Sequence, residues 1–83
     1  MTMHTFKVGD RVTLRRDVER FPDFIAQAGM TGTVCTVEDG VEGDSLLAVR
    51  IDQPIAGAEG WKNEVHWHGD YLADIEKDLA LIS

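Results

Sequence analysis

The sequence predicts an all-β domain of five short strands closed on themselves, with a long first loop that carries one short helical turn. Three observations predict it. Apolar and polar residues alternate with period two in several short segments, the mark of half-buried strands. Glycine, proline and acidic turn residues recur between those segments at intervals too short for long helices. At 83 residues and 43% hydrophobic, the chain suffices for one domain spanning 1–83 with a small core, and it has more apolar side chains than a disordered segment carries.

Taken in order, Val8-Gly9-Asp10 supplies a turn into a first strand, Arg11–Arg15, where Val12 and Leu14 share one face. From Arg16 to Ala28 the alternation stops. Pro22 suits the first position of a helical turn in this loop, and Gly29 the left-handed position after it, with Phe21, Phe24 and Ile25 folded back over the strands. Gly29 and Gly32 frame a turn into a second strand, Thr33–Glu38, where Val34 and Val37 break strict alternation and predict a bulge. A polar hairpin tip with Gly40 and Gly43 follows. The third strand is Ser45–Asp52, with Leu47, Val49 and Ile51 on one face. Pro54 to Gly60 reads as a loop. The fourth strand has the clearest alternation, with Trp61, Asn63, Val65 and Trp67 on one side and Lys62, Glu64, His66 and His68 on the other. A turn or short 3₁₀ segment over Asp70–Lys77 then leads to a closing strand, Asp78–Ile82. Closure would remove the exposed edges that a small sheet otherwise presents.

Val8-Gly9-Asp10-Arg11-Val12, a long loop, and Gly29-Met30-Thr31-Gly32-Thr33-Val34 resemble the opening of bacterial SH3-like barrels. That group includes ribosomal and transcription-factor modules, the β subunit of nitrile hydratases and the small plasmid-type dihydrofolate reductases. The resemblance covers a small part of the chain and implies a barrel rather than an activity. The Val-Gln-Ile-Tyr floor of the plasmid-type reductases would fall at Val65-His66-Trp67-His68, where only the valine agrees. A single cysteine cannot imitate a nitrile hydratase metal cluster.

The net charge is −7, unevenly spread. Residues 1–20 hold five basic and three acidic residues, whereas residues 21–83 hold three basic and twelve acidic ones. Such a chain repels phosphate backbones, which argues against nucleic-acid binding. No apolar segment approaches the ~20 residues of a membrane-spanning helix, and Met1 to Phe6 has no basic stretch before an apolar run. With Cys35 unable to form an internal disulfide, a cytoplasmic protein is expected.

No serine, threonine or cysteine stands in a nucleophile motif, and no glycine-rich loop leads from a strand into a helix, so an enzyme is not expected. The leading expectation is an acidic binding or accessory domain that engages a protein partner, as a monomer or small homo-oligomer. Its contact surface would combine Phe21, Phe24 and Ile25 with Trp61 or Trp67, if either indole is exposed, because aromatics beside carboxylates hold basic or proline-rich segments. The alternative is a divalent-cation protein of the calcium type. Asp39, Glu42 and Asp44 at one hairpin tip, or Asp70 and Asp74 near the C-terminus, would supply oxygen ligands, although neither group has EF-hand spacing. His66 and His68, two apart on one strand face, could supply imidazoles.

Overall fold

Alternation decides the strands. In the computed structural model, which describes residues 6–20, 23–38, 45–68, 70–73 and 75–82, Val12 and Leu14 point into the core from β1 (Arg11–Leu14). On one side β1 pairs antiparallel with β4 (Thr31–Glu38), and on the other with β7 (Leu79–Leu81). β4 continues into β5 (Leu46–Ile51) and β5 into β6 (Glu64–His68), giving an antiparallel sheet ordered β6-β5-β4-β1-β7. The predicted bulge is present: the β4–β5 register shifts between Val34 and Thr36, leaving Cys35 as the extra residue, with its Sγ 3.5 Å from the Ala48 carbonyl. Gly32 lets these strands approach, since a Cβ there would lie 2.5 Å from the Arg50 carbonyl oxygen.

Two stretches up to the start of β6 differ from expectation. The first loop carries no helical turn among its described residues; Val18–Arg20 (β2) and Phe24–Ala26 (β3) form a separate hairpin in register Val18↔Ala26 and Arg20↔Phe24. The reason is period two on a small scale: Val18, Phe24 and Ala26 are buried while Glu19 and Ile25 face out, and no helix places those residues on opposite faces so cleanly. Gly29, at φ +92°, serves a turn into β4 rather than a helix cap. The second difference lies before β6. Glu59–Trp61 form a 3₁₀ turn and the strand starts only at Glu64, because Lys62 and Asn63 are both left-handed, with φ of 57° and 60°.

Between β6 and β7 the expected turn is two short helical segments, α1 (Asp70–Ala73) and α2 (Ile75–Asp78). The edge strands β6 and β7 are linked through these segments and not hydrogen-bonded to each other, so the sheet is not closed by strand pairing. One core lies beneath it, in which Val12, Val34, Leu47, Val49, Val65, Trp67 and Leu79 are almost wholly buried. Among the described residues, no helix is long and apolar enough to cross a membrane.

Candidate functional site

A groove of about 290 Å³ runs between the β2–β3 hairpin and the outer face of β6. Its walls begin with backbone geometry. Asn63 holds its left-handed conformation through its side chain: Oδ1 accepts the Ile55 amide at 2.9 Å, and Nδ2 donates to the carbonyls of Ile51 and Gln53 at 2.8 and 2.7 Å. Two successive non-glycine residues in this region cost free energy that such bonding offsets. The consequence is direction: the chain enters β6 from a tight turn, and Trp61 is left 46% exposed at the groove mouth instead of joining the core. Across the groove, the hairpin tip is set by Gly57. Its φ is +92°, and any Cβ there would collide with the Asp23 carbonyl oxygen.

From the hairpin come Arg20, Asp23 and Phe24; from β6 come Glu64, His66 and His68; Tyr71 of α1 closes one end. Arg20 is the keystone. Its Nε and Nη2 donate to the His66 carbonyl at 3.2 and 3.1 Å, and Nη1 to the Glu19 carbonyl at 3.0 Å. Its guanidinium carbon sits 4.2 Å from the Tyr71 ring centroid and 5.2 Å from that of Trp67. Burial pulls its pKa below the ordinary value, partly offset by the neighbouring Tyr71 hydroxyl and Asp78 carboxylate. An arginine so placed keeps its charge and also covers part of the otherwise unpaired β6 edge.

Glu64 lies below the usual carboxylate range. Burial works to raise it, but hydrogen bonds from His66 and Arg50, reinforced by their charges, outweigh that cost. Its Oε1 is 3.2 Å from His66 Nε2, and its Oε2 accepts Arg50 Nη2 at 3.1 Å. The His66 and Trp61 rings meet nearly perpendicular, with centroids 6.0 Å apart, and His68 and Tyr71 do likewise at 5.8 Å. No protein-family model, curated protein or solved structure matches this chain.

The residues expected to form a partner surface divide. Phe24 and Trp61 line the groove, Phe24 as its largely buried floor. Ile25 is 52% exposed but does not line this groove. Trp67 has no exposed surface; its indole Nε1 donates to Asp78 Oδ2 at 2.9 Å inside the core, so it cannot meet a partner. Phe21 lies outside the described residues. Of the expected cation ligands, Asp39, Glu42, Asp44 and Asp74 also lie outside them, as does the Asp70 side chain. His66 and His68 do share a face, but no group of three His, Cys, Asp or Glu with metal-binding geometry occurs among the described residues. Sequence reasoning missed Arg20 and Tyr71 as groove residues. Asn63 was legible in principle, since asparagine tolerates the left-handed region better than most residues.

Proposed function

We propose that this protein is a non-catalytic binding module of SH3-like architecture that takes an extended, basic segment of a partner protein in the Trp61 groove. The sheet order, the hairpin inserted between the first two sheet strands and the helical turns before the last strand support the architectural part. One observation carries the functional part: an exposed tryptophan shares a groove with Asp23 and Glu64, over an apolar floor, on a chain of net charge −7. Exposed aromatics are costly to leave in water and supply most of the energy where a segment docks. The chain's net charge of −7 favours a cationic ligand.

A titration followed by amide and indole NMR signals tests this, using proline-rich heptapeptides that carry a central arginine or lysine. The expected result is a saturable shift of the Trp61 indole N–H with either peptide, with neighbouring shifts confined to the hairpin and β6. The Trp67 indole, sealed against Asp78, should hardly move. If neither peptide moves the Trp61 signal at millimolar concentration, the reading is wrong.

A further inference from the structure

We infer that the groove is gated by protons: charging of His66 and His68 turns its lining from neutral to positive and releases a cationic segment that docks at neutral pH. This rests on the peptide-docking reading and adds its regulation.

Around the groove the fixed charges cancel. The hairpin brings Arg20 and Asp23, and β6 brings Glu64, which is paired with Arg50 of β5. From α1 comes the Tyr71 hydroxyl, and from the 3₁₀ turn the uncharged Trp61, while Glu59 and Lys62 line a different cleft. Behind Arg20, Asp78 is paired with Arg16, and Glu19 lines the neighbouring cleft. What remains are two imidazoles on one strand face, about 7 Å apart by strand rise. Histidine is the side chain that changes charge between pH 5 and 8, whereas carboxylates, phenols and guanidiniums hold theirs. A modest fall in pH therefore adds up to two positive charges to a lining that has none in excess.

The contacts of the two rings say where those charges appear. His66 Nε2 lies 3.2 Å from Glu64 Oε1. An ionised carboxylate only accepts, so Nε2 carries a hydrogen and Nδ1 is the atom that takes the proton. The charged ring stays tied to Glu64, whose other oxygen already accepts from Arg50, and a carboxylate held by two cations has little left for a third. The same ring meets Trp61 with centroids 6.0 Å apart, which puts the new charge beside the docking indole. His68 is exposed and meets Tyr71 at 5.8 Å, so its charge appears where Tyr71 closes the groove. Both protonations oppose a cation seated between them and the hairpin. By linkage the effect is reciprocal: a bound cationic segment disfavours protonation of either ring.

The test is an NMR titration of the full chain with the arginine heptapeptide, acetylated and amidated, at pH 7.5 and at pH 5.5. The wild type should bind about tenfold more weakly at pH 5.5, within the usual range of coupling between two sites. Saturating peptide should also move the ring-proton titrations of His66 and His68 to lower pH. The double variant His66→Gln with His68→Gln should bind with an affinity, whatever its level, that no longer differs between the two pH values. An unchanged Trp67 indole signal shows that this variant is folded. His4, outside the described residues, is present in both proteins and cannot account for a difference between them. Equal or tighter wild-type binding at pH 5.5 overturns the gate and leaves the docking reading standing. Ring titrations that do not respond to saturating peptide, read on the wild type alone, overturn it too. So does a fall of the same size in the double variant, which assigns the pH dependence to other groups. Absence of binding at both pH values overturns the gate and the docking reading together.

Discussion

Asp52 shows how much of this small protein's cohesion passes through single side chains. Arg11 reaches it with two nitrogens, at 3.1 and 2.6 Å, and Thr31 Oγ1 donates to it at 2.8 Å, so one carboxylate ties β1, β4 and the end of β5. These hydrogen bonds hold its pKa down to about 2. A depressed carboxylate stabilises the folded state fully above its unfolded value of about 4. That contribution fades as pH falls toward 2. Thermal melts between pH 5 and pH 2 should therefore show a flatter decline for Asp52→Asn than for the wild type, with the curves parallel above pH 5. A wild-type slope retained in the variant would assign the acid sensitivity to other groups. Asp78 is the buried counterpart, 7% exposed, joined to the Trp67 indole and to Arg16 Nε. Removing it orphans a buried N–H, so Asp78→Ala should cost about 2 kcal/mol in urea unfolding. In a Trp67→Phe background that cost should shrink, because the orphaned donor is gone.

At the scale of elements, the groove depends on two loops being held at fixed separation, and Gly57 is where they touch. Gly57→Ala meets both a left-handed backbone and the Asp23 carbonyl, whereas Gly29 has the same φ with open space around its Cα. Gly29→Ala should cost about 1 kcal/mol for conformation alone. Gly57→Ala should cost clearly more and should also weaken peptide binding, because the hairpin must retreat. Equal costs in chemical denaturation would mean that the hairpin gives way freely. The same elements show what sequence pattern can and cannot report. β1, β4, β5 and the buried half of β6 were legible because their alternation is sustained and backed by burial on one face. The β2–β3 hairpin was not: three-residue strands give too few periods to separate from a turn, and the Pro22 and Gly29 signals suit either. Trp61 is drawn into the fourth strand because its alternation with Val65 and Trp67 is real in the letters, whereas its place among the partner-surface candidates agrees with its exposure in the groove. The left-handed pair at Lys62 and Asn63 breaks the alternation in space, and what stabilises that pair is a set of carbonyls at Ile51 and Gln53 that no local pattern reveals. The candidate site suffered most, since Arg20 and Asp23 come from one stretch and Glu64 and Tyr71 from another about forty residues later, which only the tertiary fold brings together.

The whole molecule adds a term that no single contact contains. Its charge of −7 is concentrated beyond the first twenty residues, where acidic residues outnumber basic ones twelve to three. Arg11, Arg16 and Arg50 are each paired with a carboxylate. Arg20 keeps its charge at the groove, so it is the acidic excess of the chain as a whole that sets the long-range field. Such a field acts mainly on encounter: it draws a cationic segment inward over a distance comparable to the Debye length, about 10 Å at 0.1 M salt and about 3 Å at 1 M. Contacts at Trp61, being short-range and partly apolar, govern departure. For the arginine heptapeptide, raising salt across that range should therefore lower the association rate far more than it raises the dissociation rate, as read by relaxation or stopped-flow fluorescence from Trp61. Neutralising a remote carboxylate pair, as in Glu38→Gln with Glu76→Gln, should mimic part of the salt effect on association and leave dissociation unchanged. If salt acts instead mainly on dissociation, the negative charge works only through the local Glu64 and Asp23 contacts, and the acidic remainder of the surface contributes nothing to recognition.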